Sequence, residues 1–379
     1  MAAAMTMWRQ LLSRVTRGKA APVTGLIGLE FGMEKLHMMQ LEYRAEGPAI
    51  IAAVSVRYPS DRESLMADPA QLKSFLRAAL GSKPFRGRTV VTCLPAKDVK
   101  MLLVTYRPEA GKKPDDAILK AVHERLGAQP DSLIDFIPIR NPEDIDEQNA
   151  LVAVTTRACV NSYLDLLGKA GLKIAALDVR SVALCRLVTA VQAEGPPFRN
   201  VLLANFGADK SYLTVISGQR LMLDREIEFG ETQLVSRLAK TLALPEAAAL
   251  KLLQTTGVNP AHHASELKSL IDEDDARRTL GEVLRPAFTM LSQEINKTMF
   301  YMAGKARGAS IECIYLLGSV ARYPSVAPWI QVFFTQPVEV LNPFAAFAAR
   351  SDAAVFKDLD PIAGIAVTAG LALRRPEHG

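Results

Sequence analysis

The chain is poor in the residues that carry redox and metal chemistry. Its 379 residues include four cysteines and five histidines. The cysteines lie far apart in apolar runs, form no CxxC pair and have no histidine at metal-ligand spacing: Cys93, Cys159, Cys185 and Cys313. A reduced cysteine in such a run packs as a small hydrophobic side chain. We therefore expect neither a disulfide framework nor a metal site, which is typical of a cytoplasmic protein.

Hydrophobic runs long enough to cross a bilayer are also missing. The closest run, residues 361–373, is shorter than the ~18 residues that a spanning helix needs. The first residues lack the compact apolar core and the small-residue cleavage site of a signal peptide. We therefore expect a protein that is neither secreted nor membrane-spanning.

The net charge of +5 does not predict a surface for nucleic acid. Lysine and arginine number 45 against 40 aspartate and glutamate. Four of the cations lie in residues 1–20, which hold no acid, so the rest of the chain carries only +1. A nucleic-acid face requires cations that are clustered throughout a domain. This class of partner is therefore excluded.

Residues 1–20 are predicted to form a basic amphipathic tail. Trp8, Leu11, Leu12 and Val15 recur at helical spacing, and the arginines fall toward the other side. Two interpretations stay open. The tail attaches weakly to anionic lipid or to a partner, or it is a solvated N-terminal segment.

A repeated pattern of strands divides the rest of the chain. The two sets of predicted strands are 26–31, 35–43 and 49–58, and then 201–206, 211–216 and 219–229. Each set reads as an antiparallel meander whose first turn carries a glycine. This pattern indicates two duplicated lobes. Backbone N–H groups in two facing turns can hold a polyphosphate between such lobes.

The predicted fold class is α/β, with two lobes that each combine a sheet with helices. A series of short strands and helices between them predicts a small inserted α+β subdomain. One helix begins at Asp68 as its N-cap, and a closing helix is capped by Asp358 or Asp360. The predicted units are the tail at 1–20, a first lobe at 21–96 with 173–199 and the closing helix 358–374, the insert at 97–172, and a second lobe at 200–345.

Five segments carry a resemblance to a known family. They are GLIGLEFGMEKLHMMQLE (25–42), NALVAVTTRACVNSYLDLLGKAGLKIAALDV (149–179), NVLLANFGADKSYLTVISGQ (200–219), EINKTMFYM (294–302) and IYLLGSVARYPSV (314–326). In this order and spacing the chain resembles the PilM family of type IV pilus inner-membrane assembly proteins, which are relatives of FtsA. The resemblance implies the two-lobed actin-like ATPase fold, in which 97–172 is the extra subdomain that PilM and FtsA carry.

The resemblance also implies a set of nucleotide-binding motifs. In the first phosphate loop, Glu30 stands at the family's acidic position and Gly32 at its glycine, while Met33, Glu34 and Lys35 replace small hydroxyl residues. The negative charge of Glu34 beside a phosphate is unfavourable. The Met33 side chain crowds a backbone that a phosphate must approach closely.

In the second phosphate loop, Asn205 replaces the family's aspartate and is followed by Gly207, Ala208, Asp209 and Lys210. An acid at the first position would bind Mg²⁺ or orient a nucleophile, because a hard cation favours anionic oxygen ligands. Asparagine supplies only a neutral oxygen and cannot act as a base.

The remaining two motifs are altered as well. In the ribose-contacting helix Lys251 is present, but Ala248 stands where the family has glutamate. The adenosine loop keeps Gly318 and has Ser319 in place of a second glycine, which is tolerated if the backbone there needs no positive φ. The cofactor that the resemblance implies is ATP with Mg²⁺, and the altered motifs favour a cleft that does not hydrolyse it.

The sequence therefore favours a cytoplasmic scaffold of a type IV pilus or type II secretion-like machine, peripheral to the inner membrane. The partner implied by the resemblance is the N-terminal cytoplasmic peptide of a bitopic membrane protein, PilN, held in a groove between the first subdomain and the insert. One alternative is an active ATPase or phosphotransferase of the same fold. The other is an FtsA-like filament-forming scaffold, which would carry a C-terminal amphipathic helix where this chain has RRPEHG. Self-association is left open.

Overall fold

The computed structural model describes residues 22–108, 111, 113–127, 131–139, 147–193, 199–257, 273–305, 310–356, 359 and 364–375, with the side chains of 273–278, 305 and 349 left out. The strands are β1 (Val23–Phe31), β2 (Lys35–Arg44), β3 (Gly47–Arg57), β4 (Thr89–Cys93), β5 (Lys100–Tyr106), β6 (Ser132–Ile139), β7 (Gln148–Thr156), β8 (Lys173–Asp178), β9 (Val201–Phe206), β10 (Ser211–Ser217), β11 (Arg220–Ile227), β12 (Cys313–Gly318) and β13 (Val338–Val340). The α-helices are α1 (Arg62–Ala67), α2 (Pro69–Gly81), α3 (Pro114–Leu126), α4 (Arg157–Lys169), α5 (Arg180–Gln192), α6 (Glu231–Thr241), α7 (Glu246–Thr256), α8 (Glu273–Lys305), α9 (Val326–Gln331) and α10 (Ala366–Ala372). The predicted tail, residues 1–20, lies outside the described residues.

Two five-stranded sheets share one strand order. The first sheet runs β3-β2-β1-β4-β8 and the second runs β11-β10-β9-β12-β13. In each, the first three strands form an antiparallel meander, and two further strands continue in parallel on the other side of the first strand. The predicted duplication and the α/β class are therefore confirmed.

Local sequence explains the elements that were predicted well. The carboxylate of Asp68 accepts hydrogen bonds from the N–H groups of Ala70 and Gln71, and Pro69 occupies the first helical position. This is the expected N-cap, because it satisfies amides that have no partner within the helix. The helix α2 then buries Leu72, Leu76 and Ala79 at helical spacing. Strand β2 is buried along most of its length. This explains why polar and apolar residues alternate only in part along it.

The insert is a three-stranded sheet, in the order β5-β7-β6, with helix α3 packed on it. Its core holds Leu102, Val152 and Ile118. Helix α4 follows the insert sheet in sequence, and the prediction counts it with the insert at 97–172. Its buried residues Tyr163 and Leu167 instead pack in the cluster of the first sheet. We therefore assign α4 to the first lobe.

Helices α5 and α10 lie between the two sheets. Their buried side chains join residues of both sheets in one hydrophobic cluster. The backbones approach closely: a Cβ added to Gly370 of α10 would lie 2.0 Å from the carbonyl oxygen of Ala183 in α5, and one added to Gly28 of β1 would lie 2.4 Å from the carbonyl oxygen of Thr368. Glycine is therefore required at the point where these elements cross.

The closing helix differs from its prediction. It begins at Ala366, and its N-cap is Ile365, which makes no side-chain capping bond. Asp358 and Asp360, the expected caps, lie outside the described residues. All seven residues of α10 are buried, so packing between the sheets stabilises this helix without a polar cap. Within the described residues, no helix has the length and apolar character that a membrane span requires.

We predict that Gly370→Ala lowers the free energy of unfolding by about 2 kcal/mol or more, because the methyl group meets the Ala183 carbonyl and the two helices must separate. Urea unfolding of the purified protein measures this change. The matched control is Gly168→Ala in α4, where no atom lies within 4 Å of the added Cβ. That variant should be about 0.5–1 kcal/mol more stable. Equal effects of the two substitutions would contradict the prediction.

Candidate functional site

A cavity of about 1170 Å³ lies between the lobes. Nine of the ten residues proposed from sequence to bind a nucleotide line it: Gly32, Met33, Lys35, Gly207, Ala208, Asp209, Lys210, Gly318 and Ser319. The tenth, Lys251, lies exposed on α7 and is not part of the cavity wall, and Ala248 is likewise exposed on that helix. The structure thus brings three of the four motifs together.

The first turn, between β1 and β2, is held by Tyr58, the residue directly after β3. The hydroxyl of Tyr58 lies 2.9 Å from the carbonyl oxygen of Gly32 and 3.0 Å from that of Lys35, and donates to them. Met33 at the tip is 41% exposed, so its side chain points largely to solvent. The shape of the first turn is therefore fixed by hydrogen bonds within the first lobe.

The second turn, between β9 and β10, closes on the start of helix α6. The N–H groups of Glu231 and Thr232 donate to the carbonyl oxygens of Gly207 (3.0 Å) and Ala208 (2.9 Å). Free amides at a helix N-terminus bind anions. Here these two amides already have backbone acceptors.

The third motif packs against the second turn. Gly318 has φ +86°, and a Cβ on it would lie 2.1 Å from the carbonyl oxygen of Phe206. Ser319 has φ −61°, and its N–H donates to that same oxygen. Serine is therefore tolerated in place of the second glycine, since the backbone at position 319 does not need a positive φ.

An arginine that the sequence analysis did not single out crosses the cleft. Arg322 follows β12, and its Nη2 lies 3.6 Å from Oε1 of Glu34 in the first turn. The same nitrogen lies 3.4 Å from Oε1 of Glu231 at the start of α6. Glu231 is buried and also accepts a 2.6 Å hydrogen bond from the hydroxyl of Tyr323. Burial acts to lower the pKa of Arg322, but the negative charges of Glu231 and Glu34 outweigh it and raise the pKa, so this group stays a cation.

A second arginine lies at the base of the cleft. The guanidinium carbon of Arg180, the first residue of α5, lies 3.5 Å from the centroid of the Tyr212 ring on β10. The carboxylates of Glu30 and Asp224 line the same cavity. Asp224 is buried and accepts a 2.6 Å hydrogen bond from Thr214; burial raises its pKa, and the field of Arg180 opposes that shift.

Glu30 holds a proton near neutral pH. Burial raises the pKa of its carboxyl to about 7, against the effects of the Thr368 hydroxyl, which donates to it at 3.1 Å, and of Arg180. Thr368 belongs to α10, so this acid connects the helix between the sheets to the cleft. A protonated carboxyl is a weaker ligand for a cation than a carboxylate is.

Other cations at the cleft also have acidic partners. Nζ of Lys210 lies 2.5 Å from Glu226 and 3.2 Å from Glu228, and Nζ of Lys97 lies 3.4 Å from Glu63. The described residues contain no cluster of three or more His, Cys, Asp or Glu side chains suited to a metal ion. The charges of the cavity are therefore largely balanced within the protein.

The family model for the type IV pilus assembly protein PilM matches residues 28–376. The solved PilM–PilN type IV pilus biogenesis complex is similar to this chain with a TM-score of 0.72 and 23% identity, over 92% of this chain and 98% of that one. The ethanolamine utilization protein EutJ from Carboxydothermus hydrogenoformans is similar with a TM-score of 0.50 and 13% identity, over 98% of both chains. No curated protein matches the sequence. The two-lobed architecture is that of the actin-like ATPase fold.

We predict that the proton on Glu30 makes stability depend on pH. The folded state keeps it up to about pH 7, whereas an unfolded glutamate loses it near pH 4.5. The free energy of unfolding should therefore fall as pH rises from about 4.5 to 7, by up to about 3 kcal/mol. Unfolding curves of Glu30→Gln should show a clearly smaller fall across this range, and what remains belongs to other acids with a raised pKa, such as Asp224.

The control is a glutamate whose pKa is shifted the other way. The hydrogen bond from Arg44 lowers the pKa of Glu42, so its contribution is present above pH 4.5 and is lost as pH falls below it. Glu42→Gln should flatten the profile at acidic pH and leave the fall between pH 4.5 and 7 in place. Identical profiles for the wild type and Glu30→Gln would contradict the prediction.

Proposed function

This chain belongs to the PilM family of type IV pilus assembly proteins, and from that premise we propose that it is a cytoplasmic scaffold, held at the inner membrane through a partner. The observation that carries the proposal is the family match, which extends over both lobes and the insert. A type II secretion-like machine would use such a scaffold in the same way.

We propose a PilN-like partner, a bitopic inner-membrane protein whose N-terminal cytoplasmic peptide binds this chain. The similar structure was solved as a PilM–PilN complex, which supports a partner of that kind. An extended peptide in a groove is an ordinary mode of recognition, in which main-chain bonds and apolar pockets share the affinity.

The cavity offers a place for such a peptide. Its lining includes Arg62, Glu63 and Ala96 of the first lobe and Lys100 of the insert, and we call this part of the cavity the arm. The Lys97–Glu63 ion pair spans the same arm between exposed side chains. Exposed ion pairs are weak, so a bound segment can displace this one at little cost.

We propose that the interlobe cleft does not turn over ATP. The residues present do not fit a Mg²⁺–triphosphate: Arg322, a cation beside the first turn, is paired with Glu34, and the amides at the start of α6 are used by the second turn. Asn205 supplies no charge at the position where the family has its acid. Phosphoryl transfer needs charge organised around the γ-phosphate, and the protein's own carboxylates oppose that charge here.

Nucleotide binding without turnover is the second candidate, and one observation favours it. The cavity volume of about 1170 Å³ is enough for a nucleotide. A ligand bound only to the folded state would stabilise the protein by mass action. Among the described residues, we find no contact that favours an active ATPase or an FtsA-like filament.

We predict that a labelled peptide copying the cytoplasmic N-terminus of the PilN-like partner binds the full chain saturably. Ala96→Trp places a bulky side chain in the cavity arm and should weaken binding about tenfold or more, whatever the charge of the peptide. Fluorescence anisotropy measures it. The matched control is Ala78→Trp, which lies exposed on α2 outside the cavity lining. Equal affinities for the two variants would remove this arm from consideration.

We predict that calorimetric titration with Mg-ATP gives no heat of binding up to millimolar concentration, because phosphate would have to displace carboxylates from Arg322 and Lys210. Ala208→Glu, which blocks the second turn, should behave as the wild type does. Micromolar binding that this variant abolishes would overturn the prediction and favour the second candidate.

A further inference from the structure

Two arginines connect the lobes across the cleft, and they do so in opposite directions. Arg322 belongs to the second lobe and reaches Glu34 in the first turn. Arg180 belongs to the first lobe and lies over Tyr212 in the second sheet. Each lobe thus supplies one guanidinium and one partner for the other. We call these two contacts the reciprocal arginine bridges.

The Arg322 bridge joins groups that are shielded from water. The side chain of Arg322 is 18% exposed and that of Glu34 is 26% exposed. The guanidinium cannot turn away freely, because its Nε donates a 3.1 Å hydrogen bond to the carbonyl oxygen of Ser319 and its Nη2 also faces Glu231. Glu34 has one further cation within reach, Arg57 of its own lobe, at 3.6 Å. On the second-lobe side, Arg322 is therefore held in place by its other contacts. On the first-lobe side, Glu34 is shared between Arg322 and Arg57.

The Arg180 bridge joins a cation to an aromatic face. A guanidinium at 3.5 Å from the ring centroid is within the range of cation–π attraction. The hydroxyl of Tyr212 donates a 3.0 Å hydrogen bond to Glu226 of its own sheet, and this bond is separate from the contact of the ring with Arg180. Glu30 from the first lobe and Asp224 from the second face the same cation, so charges of both lobes attract one guanidinium.

The positions of the two bridges follow from the fold. Arg180 lies at the start of α5, where the first sheet passes into the layer between the sheets. Arg322 lies directly after β12 and beside the first turn. The Arg180 bridge therefore lies where the first sheet meets the layer between the sheets. The Arg322 bridge lies at the first turn, where a bound phosphate would otherwise lie. A bound polyanion with its cation is the usual way to draw two such turns together.

We propose that the reciprocal arginine bridges hold the lobes closed without a ligand, so that the closed cleft is a built-in state of this scaffold. Glu34 supplies the anion between the turns, and Arg180 supplies the cation at the base. This inference goes beyond the proposed function, because it concerns the chain alone and requires no partner.

Cys93 provides an internal reporter of opening. It ends β4 and lines the cavity, and burial raises the pKa of its thiol to about 12. Its reaction with iodoacetamide is therefore slow in the closed state and faster when the lobes separate. Cys159 on α4 lies outside the cavity lining and serves as the reference thiol, with both sites followed by peptide mass spectrometry.

The test uses Glu34→Gln, Tyr212→Leu and the double variant of the full chain. Each single variant should raise the rate at Cys93 about two- to fivefold relative to Cys159, because each removes a contact of modest strength. The effects should multiply in the double variant. Small-angle scattering should show a larger radius of gyration for the double variant, and 5 mM Mg-ATP should leave the wild-type rate unchanged.

Two matched controls separate the bridges from other contacts of the same residues. Arg57→Gln removes the ion pair of Glu34 within its own lobe, and Tyr212→Phe removes the hydroxyl but keeps the ring under Arg180. Both should react as the wild type does. Unchanged rates at Cys93 in both single variants would overturn the proposal. A faster rate with unchanged scattering would also overturn it, since the change would then be local to the thiol. Failure of peptide binding would leave these results intact.

Discussion

The whole arrangement depends on how closely helix α10 approaches its neighbours. Gly28 of β1 and Gly370 of α10 leave no room for a Cβ, because the carbonyl oxygens of Thr368 and Ala183 lie at 2.4 and 2.0 Å from where it would be. Backbone contact of this kind sets the spacing between the two sheets, since side chains cannot act as adjustable spacers there. The width of the cleft follows from that spacing. The hydroxyl of Thr368 also connects α10 to the cleft, through its hydrogen bond to Glu30.

The cleft itself is organised by charge that the protein supplies to both sides. Arginines and lysines at its wall face carboxylates at distances between 2.5 and 3.6 Å. A ligand that brings its own charge must break such contacts before it gains any, so affinity for a polyanion is reduced even though the shape remains. These contacts support our proposal that the cleft keeps its shape without turning over a nucleotide.

Sequence reasoning works here where structure is local. Strand β9 has the bounds that the sequence predicts, 201–206, because a glycine turn ends it. The first and second turns line one cavity, as the duplication predicts for two facing turns, and the Gly318–Ser319 motif joins them there. The two bridges were missed, since the partner of Arg322 at Glu34 and that of Arg180 at Tyr212 lie across the cleft and far away in sequence. The start of α10 was placed too early, because a helix buried on every side shows no amphipathic pattern. The side on which α4 packs depends on a core formed by distant strands, which no local signal reveals.

The position of α10 in the chain has a consequence for how this protein is made. The Thr368–Glu30 hydrogen bond joins residues 338 positions apart, and the layer between the sheets is incomplete until α10 arrives. During synthesis, β1 and its meander must therefore wait, with an apolar face exposed, while the insert and the second lobe emerge. Contacts of such long sequence separation form slowly. The second lobe can fold as a continuous stretch of chain, whereas the first lobe is completed last although it is begun first, and that interval is when the nascent chain is most exposed to aggregation and to the need for chaperones.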